Sequence, residues 1–252
     1  MPGLVARASL IIDCVAQTSH SLGMKQPLLD IDTNLAPHLH LILALKETQD
    51  KRVIYLGSRS QYGRVSDGFI TEATRQVPID TQGINKAAAE SYFRIYAKPF
   101  GFHAISLRIT NCFGENQKVS GPDIGLVGSF TRDLLAGRVI EVFGSAERKK
   151  NLLYVNDLVE IILILGSLPF SGYEAFNVGG GSAPLSTLLD TLIEITGEGS
   201  YVFTPFPERI KQIDVGESRF VDKKLHGAIG QTRQTPLKVA LENTVSYFKG
   251  RS

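Results

Sequence analysis

The sequence predicts an α/β fold, a parallel sheet wound with helices on both faces. Val53-Ile54-Tyr55-Leu56 is a short apolar run rich in β-formers, the pattern of a buried strand. It stops at Gly57-Ser58, and in an open α/β sheet the carboxyl edge of a strand is where ligands bind. A helical stretch follows, with Ala87, Ala88 and Ala89 as strong formers and Lys86 and Glu90 one turn apart.

The other elements follow in order. Leu10 to Ala16 reads as a buried strand that opens into a polar loop, Gln17 to His20. Asp30 to Asn34 leads into a helix with Leu35, His38, Leu39, Ile42 and Leu45 at helical spacing, where Asn34 suits an N-cap. After Lys86 the helix carries Tyr92, Phe93 and Tyr96 and stops near Pro99-Phe100-Gly101. His103 to Arg108 is the next strand. From Gly121 a smaller region begins, with a helix through Val127, Phe130, Leu134 and Leu135 and a strand over Val139 to Phe143. The basic trio Arg148-Lys149-Lys150 precedes a helix that Asn156 is placed to cap. Ala175 to Val178 is a further strand, and Leu185 to Thr196 a helix stopped by Gly197. Thr235-Pro236 starts a last helix with Leu237, Leu241, Val245 and Phe248 on one face.

Composition narrows the function classes. The 252 residues suffice for one large domain or about one and a half, and 43% hydrophobic with 21% charged residues is ordinary for a soluble globular protein. A net charge of +2, with basic residues scattered apart from the trio, gives no reason to expect nucleic acid. Ile161 to Leu165 is too short to span a bilayer, and Arg7 and Asp13 interrupt any secretory pattern. Cys14 and Cys112 sit in apolar, strand-like contexts without metal-ligand spacing, so no metal is expected and a reduced, cytoplasmic setting fits them. His38 and His40 read as helix-face residues with no third ligand nearby.

Five motifs stand in one order. In SRSQYG, Ser58 lies five residues before Gly63, and Lys86 enters the next helix. Arg108-Ile109-Thr110-Asn111-Cys112-Phe113-Gly114 matches R-x-x-N-x-Y-G, and GSAERKKNLLYVND matches G-x-G-x-x-x-R-D-F-x-Y-V-D-D with Lys150 at the arginine. Phe176-Asn177-Val178-Gly179 matches F-N-V-G, and QTPLKVALENTVSYF matches W-x-P-x-V-S-L-E-E-G-L-x-x-T-V-E-Y-F. Together they resemble the extended short-chain dehydrogenase/reductases, the NAD-dependent sugar-nucleotide epimerases and dehydratases. The resemblance implies a Rossmann-like sheet that starts in mid-fold. Residues 1–120 would form a partial dinucleotide-binding domain. Residues 121–252 would form mainly a substrate-binding region, with 172–180 returning to the main sheet. No glycine-rich turn precedes Leu10, so the leading units that would cradle a pyrophosphate are missing and NAD binding by this chain alone is in doubt.

The resemblance also implies roles. Ser58, Gln82 and Lys86 fall on the catalytic positions, with Gln82 where the family has its proton-transferring tyrosine. Val15, Ala16, Asn34, Lys86 and Thr110 would face NAD, Asn111 and Lys150 the nucleotide sugar, and Arg108 would support its loop. A glutamine amide does not titrate, and a positioned acid or base is worth roughly 10²–10⁴ in rate. Three readings stand side by side. One is an N-terminally truncated NAD-dependent epimerase or dehydratase, with a homodimer as its possible assembly. The second is a degenerate relative or partner subunit that binds without turnover, and the third a non-catalytic α/β domain. Read singly, Ser58 and Asn111 are turn residues, Gln82 a helix-start residue, and Lys86 and the basic trio solvated charges.

Overall fold

A computed structural model describes residues 2–65, 68–120 and 124–251. A short helix, α1 (Pro2–Arg7), leads into β1 (Leu10–Asp13), and α2 (His20–Lys25), α3 (Pro27–Asn34) and α4 (Ala36–Leu45) return the chain to β2 (Arg52–Ser58). A 3-10 turn (Arg59–Tyr62), β3 (Phe69–Ile70) and the long α5 (Thr81–Phe100) precede β4 (His103–Ile109) and β5 (Asn111–Phe113). Then come α6 (Leu126–Leu135), β6 (Val139–Phe143), β7 (Lys149–Tyr154), α7 (Val155–Ser167) and β8 (Tyr173–Val178). The chain finishes through β9 (Gly181–Pro184), α8 (Leu185–Thr196), β10 (Ser200–Thr204), α9 (Glu208–Ile213), β11 (Arg219–Phe220), α10 (Lys223–Ile229) and α11 (Leu237–Lys249).

The main sheet is parallel in the order β1-β2-β4-β8. Because side chains alternate along a strand, Val53 and Tyr55 pack against α1, α4 and α5 through Val5, Leu41, Leu45, Ala89 and Phe93. Ile54 points the other way, joining Ile105, Leu107, Phe176 and the α7 residues Leu158, Ile161 and Leu165. Helices therefore cover both faces, as the sequence predicts. A second core gathers α6, α8 and α11 around Leu134, Leu188, Leu192, Leu241 and Val245. It lies over a small sheet ordered β5-β7-β9 and the β10-β6 pair. Gly180 fits the corner after β8 only as glycine, since a Cβ there would fall 1.8 Å from Leu152 O. Among the described residues no helix is long and apolar enough to cross a membrane.

Four expectations are corrected. The first strand ends at Asp13, so Cys14, Val15 and Ala16 lie in the following loop and Cys14 is exposed. Asn34 closes α3 instead of capping α4, because its amide is engaged by Gln17 and Asp30. Asn156 lies inside α7, where it donates to Tyr154 Oη (3.0 Å) and caps nothing. Lys86 and Glu90 do not pair with each other, since Glu90 turns into the sheet to meet Arg108. The start of the smaller region at Gly121 lies outside the described residues.

Candidate functional site

β1 and β2 run parallel, so their carboxyl ends open side by side, with Asp13 level with Tyr55. Into that opening α5 brings Lys86. Asp80 starts the helix by accepting from Gly83 N (2.7 Å), and Gly83 is glycine because a Cβ would lie 2.6 Å from Ser60 O. Lys86 is buried, and its Nζ donates to Leu56 O (3.1 Å) and lies 3.5 Å from Val15 O and 5.0 Å from the Tyr55 ring centroid. Burial lowers its pKa to about 8, against the pull of Asp13, Cys14 and Asp30.

The loop after β1 forms the wall beside it. Gln82 Nε2 donates to Gln17 O (2.9 Å), as does Asn34 Nδ2 (3.1 Å), while Asn34 Oδ1 accepts from Gln17 N (3.2 Å). Asp30, wholly buried, accepts from Gln17 Nε2, from Asn34 Nδ2 (2.8 Å) and from Asn85 Nδ2 (2.7 Å), so its charge is met by amides. Val15 and Ala16 are the exposed part of this wall. Behind Lys86, Asp13 Oδ2 accepts from buried His38 Nδ1 (2.7 Å). At the outer end, His20 Nδ1 lies 2.9 Å from Asp80 Oδ2.

Ser58 ends β2 and caps the 3-10 turn, accepting from Ser60 N (3.1 Å) and bonded to Ser60 Oγ (2.9 Å). Gln61 fixes that turn, since its Oε1 accepts from Ser58 N and its Nε2 donates to Glu90. Arg108 donates to Glu90, to Tyr62 Oη (2.6 Å) and to Glu72 O (3.0 Å), so it ties α5, the 3-10 turn and Glu72 together and has no bond to the 109–114 loop among these. Thr110 hangs from Val178 O through its N–H, with its buried Oγ1 unpartnered.

On the small sheet and beside Ser58 stands a group of basic side chains, Lys150, Arg148 and Arg59, close enough to influence one another. Asn111 donates to Asn151 O (2.9 Å), which brings it to the strand that carries Lys150. Burial lowers the Lys150 pKa to about 8, and Arg148 and Arg59 add to that while Asp214 and Glu217 oppose it. Arg148 pairs with Asp214 and lies 4.7 Å from the Phe206 ring centroid. Arg59 donates to Ser218 Oγ (3.1 Å) and Val215 O (2.9 Å), holding the segment after α9 against the end of β2.

The structure thus gathers Ser58, Gln82, Lys86, Val15, Ala16 and Asn34 around one loop, and Asn111 with Lys150 on a second sheet. Sequence reasoning missed Asp30, Asn85, Arg59 and the His20–Asp80 pair. Arg59 stood in plain view beside Ser58, but its partners lie more than 150 positions downstream. A cavity of about 240 Å³ at the foot of α11, lined by Tyr154, Asp157, Thr235 and Leu237 among others, contains none of these residues. Among the described residues no cluster of three or more His, Cys, Asp or Glu is placed to hold a metal ion.

The model of the NAD dependent epimerase/dehydratase family matches residues 4–179. A dTDP-4-dehydro-6-deoxyglucose reductase of Escherichia coli is 32% identical over 150 residues, 59% of this chain and 46% of that protein, so the match spans under half of that relative. A UDP-glucose 4-epimerase of Mycolicibacterium smegmatis is 24% identical over 259 residues, 100% of this chain and 80% of its own. The solved UDP-glucose 4-epimerase of Thermotoga maritima with UDP-glucose superposes with a TM-score of 0.87 at 28% identity, covering 97% of this chain and 78% of that one. A UDP-N-acetylglucosamine 4-epimerase of Methanobrevibacter ruminantium gives a TM-score of 0.89 at 20% identity, covering 100% and 80%, a likeness of fold.

Proposed function

The chain belongs to the NAD dependent epimerase/dehydratase family, and on that premise we propose that its cleft binds a nucleotide sugar for epimerase- or dehydratase-type chemistry. The observation that carries this reading is Lys86, a buried cation anchored where two parallel strands end. Lys150, Arg148 and Arg59 form the opposite bank, where positive charge would meet a diphosphate, and Asn111 would reach the nucleotide side.

When bound, NAD would supply the hydride acceptor. Val15, Ala16, Lys86 and Thr110 would hold its nicotinamide end, and Thr110's unpartnered buried hydroxyl suits a ligand there. Asn34 would act from beneath the loop, since it is fully buried. Among the described residues no glycine-rich strand-turn-helix cradles a pyrophosphate, so the fit covers one end of the cofactor only. Ser58 would orient a sugar hydroxyl and Lys86 would hold positive charge beside it. Gln82 supplies a fixed amide, not a proton. A binder without turnover is the second reading, favoured by that glutamine at the family's tyrosine position.

Isothermal titration with UDP-glucose and UDP-glucuronic acid tests the proposal. Binding in the micromolar to millimolar range is expected, weakened at least about tenfold by Lys150→Ala through loss of a phosphate contact. No binding of either nucleotide sugar would overturn it. Turnover with NAD separates the enzyme from the silent binder.

A further inference from the structure

We infer that His20, oriented by Asp80, is the proton-carrying side chain of this cleft, with Nε2 accepting the proton of a hydroxyl on the bound nucleotide sugar. The inference rests on the nucleotide-sugar reading above and deepens it. The pair joins two groups of opposite exposure. The Asp80 side chain is 2% exposed and that of His20 45%, with Nδ1 and Oδ2 2.9 Å apart. Asp80 cannot swing away, because its other oxygen accepts from Gly83 N (2.7 Å) at the start of α5. Burial pushes its carboxyl up, but the His20 hydrogen bond and charge, the Gly83 amide and Arg59 outweigh that and leave it below its ordinary value. A carboxylate held on Nδ1 fixes the ring's proton there and leaves Nε2 as the free base.

The pair borders the same loop as the other candidate groups. Val15 O faces Lys86, Gln17 O takes the Gln82 amide, and Ser19 Oγ accepts from Leu22 N to cap the helix that His20 opens. The first turn of α5 also lies close to the turn begun by Ser58, where a Cβ at Gly83 would fall 2.6 Å from Ser60 O. The alternatives along this loop are poor. Gln82 does not titrate, and its amide is committed to Gln17 O. Lys86 is buried beneath two carbonyls. The Cys14 thiol is pushed up by burial and by Asp13.

In the step itself the hydroxyl O–H bond breaks and an Nε2–H bond forms, giving an imidazolium that Asp80 stabilises. When bound, the family's nicotinamide dinucleotide would supply the acceptor for the hydride that leaves carbon. The charged group that meets His20 is Asp80, which Arg59 also stabilises, and Asp30 lies against Gly23 on the same helix.

The test uses the whole chain with UDP-glucose as probe, followed by calorimetry and by the His20 ring resonances, assigned through their loss in His20→Gln. Bound UDP-glucose should shift the His20 resonances and leave those of His226 in place. His20→Gln should weaken UDP-glucose binding by about threefold or more through loss of the hydroxyl contact, while His226→Gln leaves it unchanged. Binding with unmoved His20 resonances, or affinity unchanged in His20→Gln, would overturn the assignment and leave the nucleotide-sugar reading intact. No binding of UDP-glucose would overturn that reading and the assignment with it.

Discussion

Burying an ammonium group costs more than two backbone carbonyls return, and Lys86 carries that cost. Its folded pKa of about 8 lies below the ordinary lysine value of 10.5, so the folded state binds fewer protons than the unfolded chain between those two values. Stability due to this group is therefore lowest below pH 8 and recovers as pH rises toward 10.5. Lys86→Met should raise the free energy of unfolding at pH 7 by roughly 1–3 kcal/mol, net of the carbonyl hydrogen bonds lost. Urea melts should show that gain fading above pH 8, and a melt weakened at pH 7 would refute it. Glu90 behaves in the opposite sense. Burial pushes its carboxyl up, but hydrogen bonds and charge from Arg108, with Gln61 and Ser106, leave it below the ordinary value. Its contribution is present above an unfolded pKa of about 4.3 and is lost as pH falls through the folded one. Glu90→Gln should cost about 3–5 kcal/mol at pH 7 by stranding buried Arg108, and should blunt the acid transition. An acid transition unchanged in this variant would count against that account.

At the scale of elements, apolar periodicity and punctuation made most of the fold legible. Val53 to Leu56, His103 to Arg108 and Ala175 to Val178 all fall in strands of the main sheet, and Gly101 and Gly197 stop their helices in the left-handed region. Polar residues at element ends were harder to read. Asn34 and Asn156 have capping chemistry, but the distant Gln17 claimed the first amide and the Tyr154 hydroxyl, two residues back, the second. Lys86 was legible as a candidate through the family resemblance, on the helix after SRSQYG, whereas the amides around Asp30 come from three separate elements. The turn after β8 shows a sequence signal with a steric cause. Gly179-Gly180 lacks a phosphate-loop spacing, yet Gly180 is required by contact, because its Cβ would overlap Leu152 O and pry β9 from β7. Gly180→Ala should destabilise by more than about 3 kcal/mol, while Gly181→Ala, which meets nothing within 4 Å, should be nearly neutral. Equal denaturation midpoints for the two variants would show that the corner relaxes more cheaply than this geometry implies.

The candidate residues stand on two separate sheets, Lys86 beside the main one and Lys150 on the small one, and among the described residues β1 is an edge of the main sheet. Among the described residues β1 has a partner only on its β2 side, and Ile12 on that strand is 43% exposed. On α7, which packs across the face containing Leu10, Leu163 is 62% exposed. The same architecture bears on the cofactor. Affinity for NAD in a doubly wound sheet comes largely from backbone N–H groups at a glycine-rich turn and from the helix dipole behind it, both aimed at the pyrophosphate. The described residues offer the nicotinamide end a wall of Val15, Ala16 and Lys86, but no such turn. The groups proposed to meet a nucleotide sugar do not share this deficit, since Asn111, Lys150, Arg148 and Arg59 form no part of such a turn. Titration of this chain with NAD should therefore give a dissociation constant no tighter than about 0.1 mM, weaker than for its nucleotide sugar. A low-micromolar constant for NAD would mean that the pyrophosphate is held by groups other than a glycine-rich turn, with the cationic bank as the first place to mutate.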